Sequence, residues 1–247
     1  MTVSLEVPLM SPAQPASDNS AHQMIAALHP SEYTAALIQV LRARAAWVRG
    51  ANALEIGSGS GVVLAALGAL GAASLCGIDI ESEAVSSSAL LLHRLGYREN
   101  VEICHGDMWL PVTGRRFDLV TANLPQFPME ARNFTGRWPS WSSGGPDGRR
   151  LLDRFLLGLA ANLAPSGHAI ITHNAFVDLE LTRVMIERIG LSLRLAMTVL
   201  VQISSEKLTL MTQSVRCSEE GRSIYRYGPY TFAEMHIVEI EAAASLG

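Results

Sequence analysis

From Ala53 onward the chain alternates short apolar runs with longer stretches of helical periodicity, and that alternation leaves few folds open. Ala53–Ile56 reads as a strand and Val62–Leu70 as a helix; Ser74–Ile80 is the next strand and Glu83–Leu95 the next helix. Val101–Cys104 and Phe117–Ala122 continue the strands, followed by helix Arg150–Leu163, strand His168–Thr172 and helix Leu179–Ile189. Strands joined through helices run parallel with right-handed crossovers, so the pattern predicts a doubly wound α/β sheet, mostly parallel, with helices on both faces. Leu191–Ile203 and Lys207–Thr212 are expected to close it as a β pair. Before the first strand, Ser31 is placed to cap a helix spanning residues 31–48.

Composition narrows the function classes. The 247 residues are 49% apolar and 17% charged, which excludes wholesale disorder. A net charge of −4, from 19 basic and 23 acidic residues, is not the footprint of a dedicated nucleic-acid binder, and no nucleic-acid partner is expected. Gly61–Ile78 carries no charge over 18 residues, long enough for a membrane span, but Gly68, Gly71 and Gly77 punctuate it. A buried helix and a buried strand account for it better, and no membrane partner is expected. Cys76, Cys104 and Cys217 show neither a CxxC pair nor metal-ligand spacing, so the expectations are no metal, no disulfide framework and a cytoplasmic setting. The start of the chain lacks the basic and apolar regions of a signal peptide. Residues 1–28, with Pro8, Pro12 and Pro15, read as a flexible arm; residues 29–215 as the α/β domain; residues 216–247 as an extension packing on it. Tyr225, Tyr227, Tyr230 and Phe232 of that extension are a possible substrate cap. The long loop Leu124–Asp147, which holds Trp138 and Trp141, is of the kind usually kept for function.

The sharpest local signal is Glu55-Ile-Gly57-Ser-Gly59-Ser-Gly61, at the turn from a strand into a helix. Glycines let the backbone turn sharply and a ligand approach it, and a helix N-terminus favours an acceptor. The spacing is GxGxG, whereas a dinucleotide pyrophosphate asks for GxGxxG. A GxGxG loop preceded by an acid resembles that of S-adenosylmethionine (SAM) methyltransferases, and SAM is the expected cofactor. Asp79, 22 residues after Gly57 at the end of the second strand, is expected to accept hydrogen bonds from the ribose hydroxyls. Asp107, after the third strand, is expected to accept from the adenine amino group while apolar neighbours such as Ile80 and Met108 cover the ring. Glu55, Gly57, Ser58, Gly59 and Gly61 complete this cofactor set.

After the fourth strand comes Asn123-Leu124-Pro125-Gln126-Phe127, where the chain resembles the HemK-like class I methyltransferases, which carry Asn-Pro-Pro-Tyr. His29-Pro30-Ser31-Glu32-Tyr33-Thr34 is similar to their Pro-x-Glu-x-Thr segment, Gly144-Gly145-Pro146-Asp147-Gly148-Arg149 to their Gly-Gly-x-x-Gly-Arg loop, and Leu163-Ala-Pro165-Ser-Gly167 to their helix-to-strand turn. The likeness covers roughly residues 29–215 and is to the short form without an N-terminal helical domain. It implies a seven-stranded Rossmann-like class I methyltransferase that methylates nitrogen. Asn123 and Pro125 would belong to the catalytic loop, with the Asn side chain and a backbone carbonyl accepting the two N–H bonds of a planar nitrogen. Asn123 and Thr34 would also touch the cofactor; Tyr33, Asn123, Gln126, Phe127 and Trp141 are the expected acceptor contacts.

Two departures matter: Leu124 replaces the first Pro and Gln126 the aromatic residue. They point away from release-factor glutamine and adenine, toward a planar and possibly heteroaromatic nitrogen of a small molecule. A protein glutamine or other side-chain nitrogen is the alternative, ahead of a nucleic-acid base. A non-catalytic SAM-binding module would have no use for Asn123. His105 and His173, at strand ends, are expected to be structural. Oligomeric state and the number of methyl groups transferred stay open.

Overall fold

The computed structural model describes residues 30–129 and 142–243, so Trp138, Trp141 and the proposed arm lie outside the described residues. Helix α1 (Glu32–Ala43) is capped at Ser31 and gives way at Arg44 to the short α2 (Ala45–Val48). There follow β1 (Asn52–Ile56), α3 (Val62–Ala69), β2 (Ser74–Asp79), α4 (Ser82–Arg94), β3 (Val101–His105), a 3-10 turn at Leu110–Val112 and β4 (Phe117–Ala122). After the loop come α5 (Arg150–Asn162), β5 (Leu163–Asn174), α6 (Leu179–Arg188) and β6 (Leu191–Ile203), then α7 (Ser205–Leu210), α8 (Gln213–Glu219), β7 (Ile224–Tyr227) and β8 (Tyr230–Ala242).

The strands form one sheet in the order β3-β2-β1-β4-β5-β8-β6, with β7 paired to β8. Strands β1 to β5 are parallel, and β8 runs antiparallel to both β5 and β6. This is the doubly wound α/β sheet that the alternation predicts, in mixed form. Side chains alternate between two cores. Ala53, Leu119, Ile170 and Ile237 face α1, α2 and α3, whereas Leu54, Val120, Ile171 and Val238 face α5 and α6. Both faces of the central strands are buried, as near-continuous apolar runs require.

Two expectations need correction. Lys207–Thr212 is not a strand. The alternation of Leu208 and Leu210 suggests one, but Ser204 Oγ accepts the Lys207 N–H at 3.1 Å and starts α7 as a helix cap. The sheet therefore closes with β8, and it holds eight strands rather than seven. The stretch after residue 215 also contributes more than an appendage: β8 lies between β5 and β6, with Ile237 and Val238 fully buried. Because β8 is an interior strand, a chain ending at residue 215 should lose its cooperative thermal unfolding transition, as followed by circular dichroism.

Candidate cofactor and methyl-acceptor site

The β1–α3 turn is built for close approach. Gly61 sits at φ +79°, where a Cβ would lie 2.8 Å from the Ser88 Cα of α4. Ser88 Oγ in turn donates to Gly59 O at 3.0 Å and shares a hydrogen bond with the Ser58 hydroxyl at 3.1 Å, pinning the glycine loop from the neighbouring helix. On the other side Gly57 and Ser58 N–H groups both donate to Ile78 O, at 2.8 and 3.0 Å.

Above this turn opens a cavity of about 400 Å³. It collects residues from four strand ends: Glu55 and Gly57 after β1, Asp79 and Ile80 after β2, Asp107 and Met108 after β3, and Asn123, Leu124 and Pro125 after β4. Pro30, Ser31 and Thr34, at the start of α1, form the opposite wall. Thr34 Oγ1 accepts the Ser31 N–H at 3.3 Å and so holds that wall in shape.

The polar groups differ in what they leave free. Glu55 is 2% exposed; its carboxyl takes the backbone N–H of Leu64, while Oε2 has no partner. Burial raises its pKa well above the usual carboxyl range, the Leu64 hydrogen bond offsets this in part, and the nearby Asp79 adds to the rise. A buried carboxyl oxygen without a partner in a cavity wall calls for a cationic or hydrogen-donating ligand. Asp79 accepts Gly59 N–H on Oδ2 (2.9 Å) and Glu81 N–H on Oδ1 (3.0 Å), which fixes the carboxylate and keeps one lone pair on each oxygen for hydroxyl donors. Asp107 Oδ2 is paired with Arg154 Nη2 at 2.7 Å. Ile80, though apolar, is 62% exposed beside this pair and lines the cavity, as the cover of a planar ring would. The residues present therefore fit SAM: a carboxyl for its cationic end, a fixed carboxylate for its diol, and an apolar slot beside an acid for its base.

Asn123 lines the same cavity beside Leu124 and Pro125. Its Oδ1 accepts from Thr172 Oγ1 of β5 at 3.0 Å, so the carboxamide is held with one lone pair to spare. The rest of the loop turns away from the cavity. Gln126 is 3% exposed, its Nε2 donating to Thr172 O at 2.8 Å and its Oε1 accepting from Asn174 N–H at 3.0 Å. It is not placed to meet an acceptor, because both ends of its amide are spent on β5. Phe127 is also buried, edge-on to Phe176 at 5.9 Å and covered by Lys207 Nζ at 4.8 Å, so it offers no platform. Tyr33 does not line the cavity either; its hydroxyl donates to Asn174 Oδ1 at 2.9 Å, and burial, with Glu32 nearby, pushes its pKa up to about 12. Trp141 lies outside the described residues.

The Gly144–Arg149 loop braces the acceptor loop from behind. Phe127 and Gly144 exchange backbone bonds with Ser142 and Phe127 carbonyls, and Met129 N–H donates to Gly145 O at 2.9 Å. Gly148, at φ +81°, lies so near that a Cβ would stand 2.4 Å from Gln126 O. Arg149 anchors the brace, buried against Asp178 O, Thr182 Oγ1 and Asp153. His173 belongs to the same network through Thr182 Oγ1 at 2.9 Å, and burial drops its pKa to about 3. His105 Nε2 meets Ile80 O at 2.9 Å. Among the described residues, Cys76, Glu102 and Cys104 could gather round a metal ion, but the Glu102 carboxylate is already held by Arg115 at 2.8 Å.

Comparison with known proteins agrees with this geometry. Residues 53–135 match the family model described as a methyltransferase domain. A protein of Methanocaldococcus jannaschii named "Putative protein N5-glutamine methyltransferase" is 31% identical over 144 residues, covering 57% of this chain and 71% of that protein. The chain belongs to the SAM-dependent methyltransferases. The release factor glutamine methyltransferase of Gloeobacter violaceus is 26% identical over 151 residues, and the match spans 58% of this methyltransferase and about half, 52%, of that relative. Among solved structures, the ribosomal protein L11 methylase of Lactobacillus delbrueckii subsp. bulgaricus shares the fold at a TM-score of 0.51 and 16% identity, over 84% of this chain and 79% of that one. The T. thermophilus 16S rRNA N2 G1207 methyltransferase, solved with AdoMet and guanosine, does so at a TM-score of 0.51 and 16% identity, over 87% and 44%. No helix of the described residues is long and apolar enough to cross a membrane.

Two outcomes follow for the cofactor wall. Asp79→Ala should weaken SAM binding about tenfold, because lost hydrogen bonds to a charged acceptor cost about 1.5–3 kcal/mol; calorimetric titration reads this directly. Glu55→Gln should weaken SAM binding while stabilising the ligand-free protein. With its folded pKa raised, Glu55 costs nothing below the unfolded value of about 4.3, and the cost grows as pH rises from there toward the folded pKa. The melting-temperature advantage of Glu55→Gln should therefore widen with pH above about 4.3; an advantage independent of pH would contradict the assignment.

Proposed function

We propose that this enzyme methylates the nitrogen of a carboxamide, with a glutamine side chain of a protein as the carrier. The observation that carries this is Asn123, which lines the SAM cavity with its carboxamide oxygen fixed by Thr172 at 3.0 Å.

An amide nitrogen is a weak nucleophile because its lone pair is delocalised into the carbonyl. Asn123 Oδ1, with one lone pair left, accepts one of its N–H bonds, and a backbone carbonyl of the Leu124–Pro125 turn accepts the other. Two acceptors on the same nitrogen raise its electron density and hold it at one angle. SAM, when bound, would supply an electrophilic methyl group on a sulfonium: the new N–C bond replaces the S–C bond, S-adenosylhomocysteine leaves, and the methylated nitrogen gives up one proton to water. What the chain adds is alignment of nitrogen and methyl in a walled cavity, and positioning of this kind is worth several kcal/mol of barrier. Neither His173, buried and spent on Thr182 and Asn174, nor His105 is placed as a base.

Two observations favour a carboxamide over the heteroaromatic small molecule that the altered motif suggests. Gln126 and Phe127 both turn away from the cavity, so neither provides a ring on which a heteroaromatic acceptor would stack. The relatives from M. jannaschii and G. violaceus carry the names of glutamine methyltransferases.

Methyl-labelled SAM incubated with host extract, then divided into protein, small-molecule and RNA fractions, tests the reading. Label in protein that Asn123→Ala abolishes, with SAM affinity retained within about twofold, is the expected result; Asn123→Ala should cut turnover at least about a hundredfold, as loss of a transition-state contact does. Label confined to small molecules would overturn the protein glutamine.

A further inference from the structure

The first turn of α1 serves two directions at once. Ser31 and Thr34 face the SAM cavity, while Tyr33 between them reaches the end of β5 and donates to Asn174 Oδ1 at 2.9 Å. From Asn174 the hydrogen bonds continue without a gap. Its N–H donates to Gln126 Oε1 (3.0 Å), Gln126 Nε2 donates to Thr172 O (2.8 Å), and Thr172 Oγ1 donates to Asn123 Oδ1 (3.0 Å). Gln126, Thr172 and Asn174 are each no more than 6% exposed, so water does not compete for the two Gln126 bonds. The β4–β5 ladder ends with Ala122 opposite Ile171, and beyond that point no backbone pair joins the two strands. The Gln126 amide takes over there, with one donor and one acceptor facing the β5 backbone like a peptide unit.

We propose that Gln126 and Asn174 are positioning residues through which the cofactor wall sets the acceptor loop: SAM held against the first turn of α1 steadies Asn123 by way of Tyr33, Asn174, Gln126 and Thr172. The role of the glutamine is thus to transmit and hold, which explains why a side chain at this point of the catalytic loop contacts no acceptor. The inference rests on cofactor binding alone and stands whichever acceptor the enzyme uses. The two Gln126 links are buried and those at Tyr33 and Asn123 half-buried, and connected polar networks of this kind act as units.

Amide hydrogen exchange, with S-adenosylhomocysteine as the probe, reads the coupling directly. Phe127, Met129 and Asn174 do not line the cavity, so slowing of their exchange cannot come from direct contact. In the wild-type protein the probe should slow exchange at these three amides as well as in Gly57–Gly61. Tyr33→Phe removes a single hydroxyl; it should abolish the slowing at the three distant amides, keep it in Gly57–Gly61, and weaken probe affinity by only about threefold. Gln126→Met, of similar length but without either bond, should act likewise at Phe127 and Met129. In the double variant, Tyr33→Phe should then add nothing at those amides, a non-additivity that a merely structural role would not produce. Absence of slowing in the wild type, or slowing at the distant amides that survives Tyr33→Phe, would overturn the proposal.

Discussion

Burying both faces of the central strands leaves their ends as the place where the polar groups of the cavity can stand. Strands β1, β4 and β5 lie between two apolar cores, and their backbones are satisfied by each other and by β2 and β8 on either side. Parallel strands finish on the same side, so their last residues are the first that can carry polar side chains without leaving them unpaired. Glu55, Asp79, Asn123, Thr172 and Asn174 all stand at such ends, and each but Glu55 has its partner in a neighbouring loop or strand end. Glu55 is the exception because one of its oxygens is kept for something the chain does not contain. The site follows from the sheet, and the call for a ligand from the Glu55 oxygen that lines the cavity without a partner.

The antiparallel end of the sheet extends this edge. Because β8 enters from the same side on which the parallel strands end, the chain between β6 and β8 has to pass over the acceptor loop. It does so as α7 and α8, with Thr212 N–H donating to Pro128 O at 2.9 Å and Met211 buried in the α5–α6 core. Lys207 lies over the Phe127 ring, and burial lowers its pKa. The acceptor loop is thus held on three sides: by β5 in front, by the Gly144–Arg149 brace behind, and by α7 and α8 above. A loop so constrained orients a nitrogen without spending binding energy to order itself first.

Fold class was legible because alternation between periods of two and about 3.6 residues is written locally. The β1, α3, β2, α4 and β4 segments fall within a residue or two of where periodicity places them. Lys207–Thr212 misled because its period-two apolar spacing competes with a helix cap at Ser204 that only the three-dimensional turn reveals. The residues that line the cavity were legible for a similar reason, since glycine spacing and strand-end acids depend on backbone geometry near each residue. Gln126, Phe127 and Tyr33 were not. Their direction depends on partners 46, 49 and 141 residues away, at Thr172, Phe176 and Asn174, and no local pattern encodes those contacts.

An aromatic residue at position 126 would contribute a face, whereas glutamine contributes a donor and an acceptor. Those two groups have only one way to be satisfied in a buried setting, and β5 offers it: a free carbonyl at Thr172 and a free N–H at Asn174, where the ladder from β4 has run out. Leaving either unpaired would cost about 1–3 kcal/mol, so the glutamine amide and the strand end hold each other. With the side chain committed in this way, the loop lines the cavity with Leu124 and Pro125 as apolar wall and Asn123 as its polar group. Glutamine at this position thus fixes the loop to β5, where an aromatic ring would have no such bonds to make.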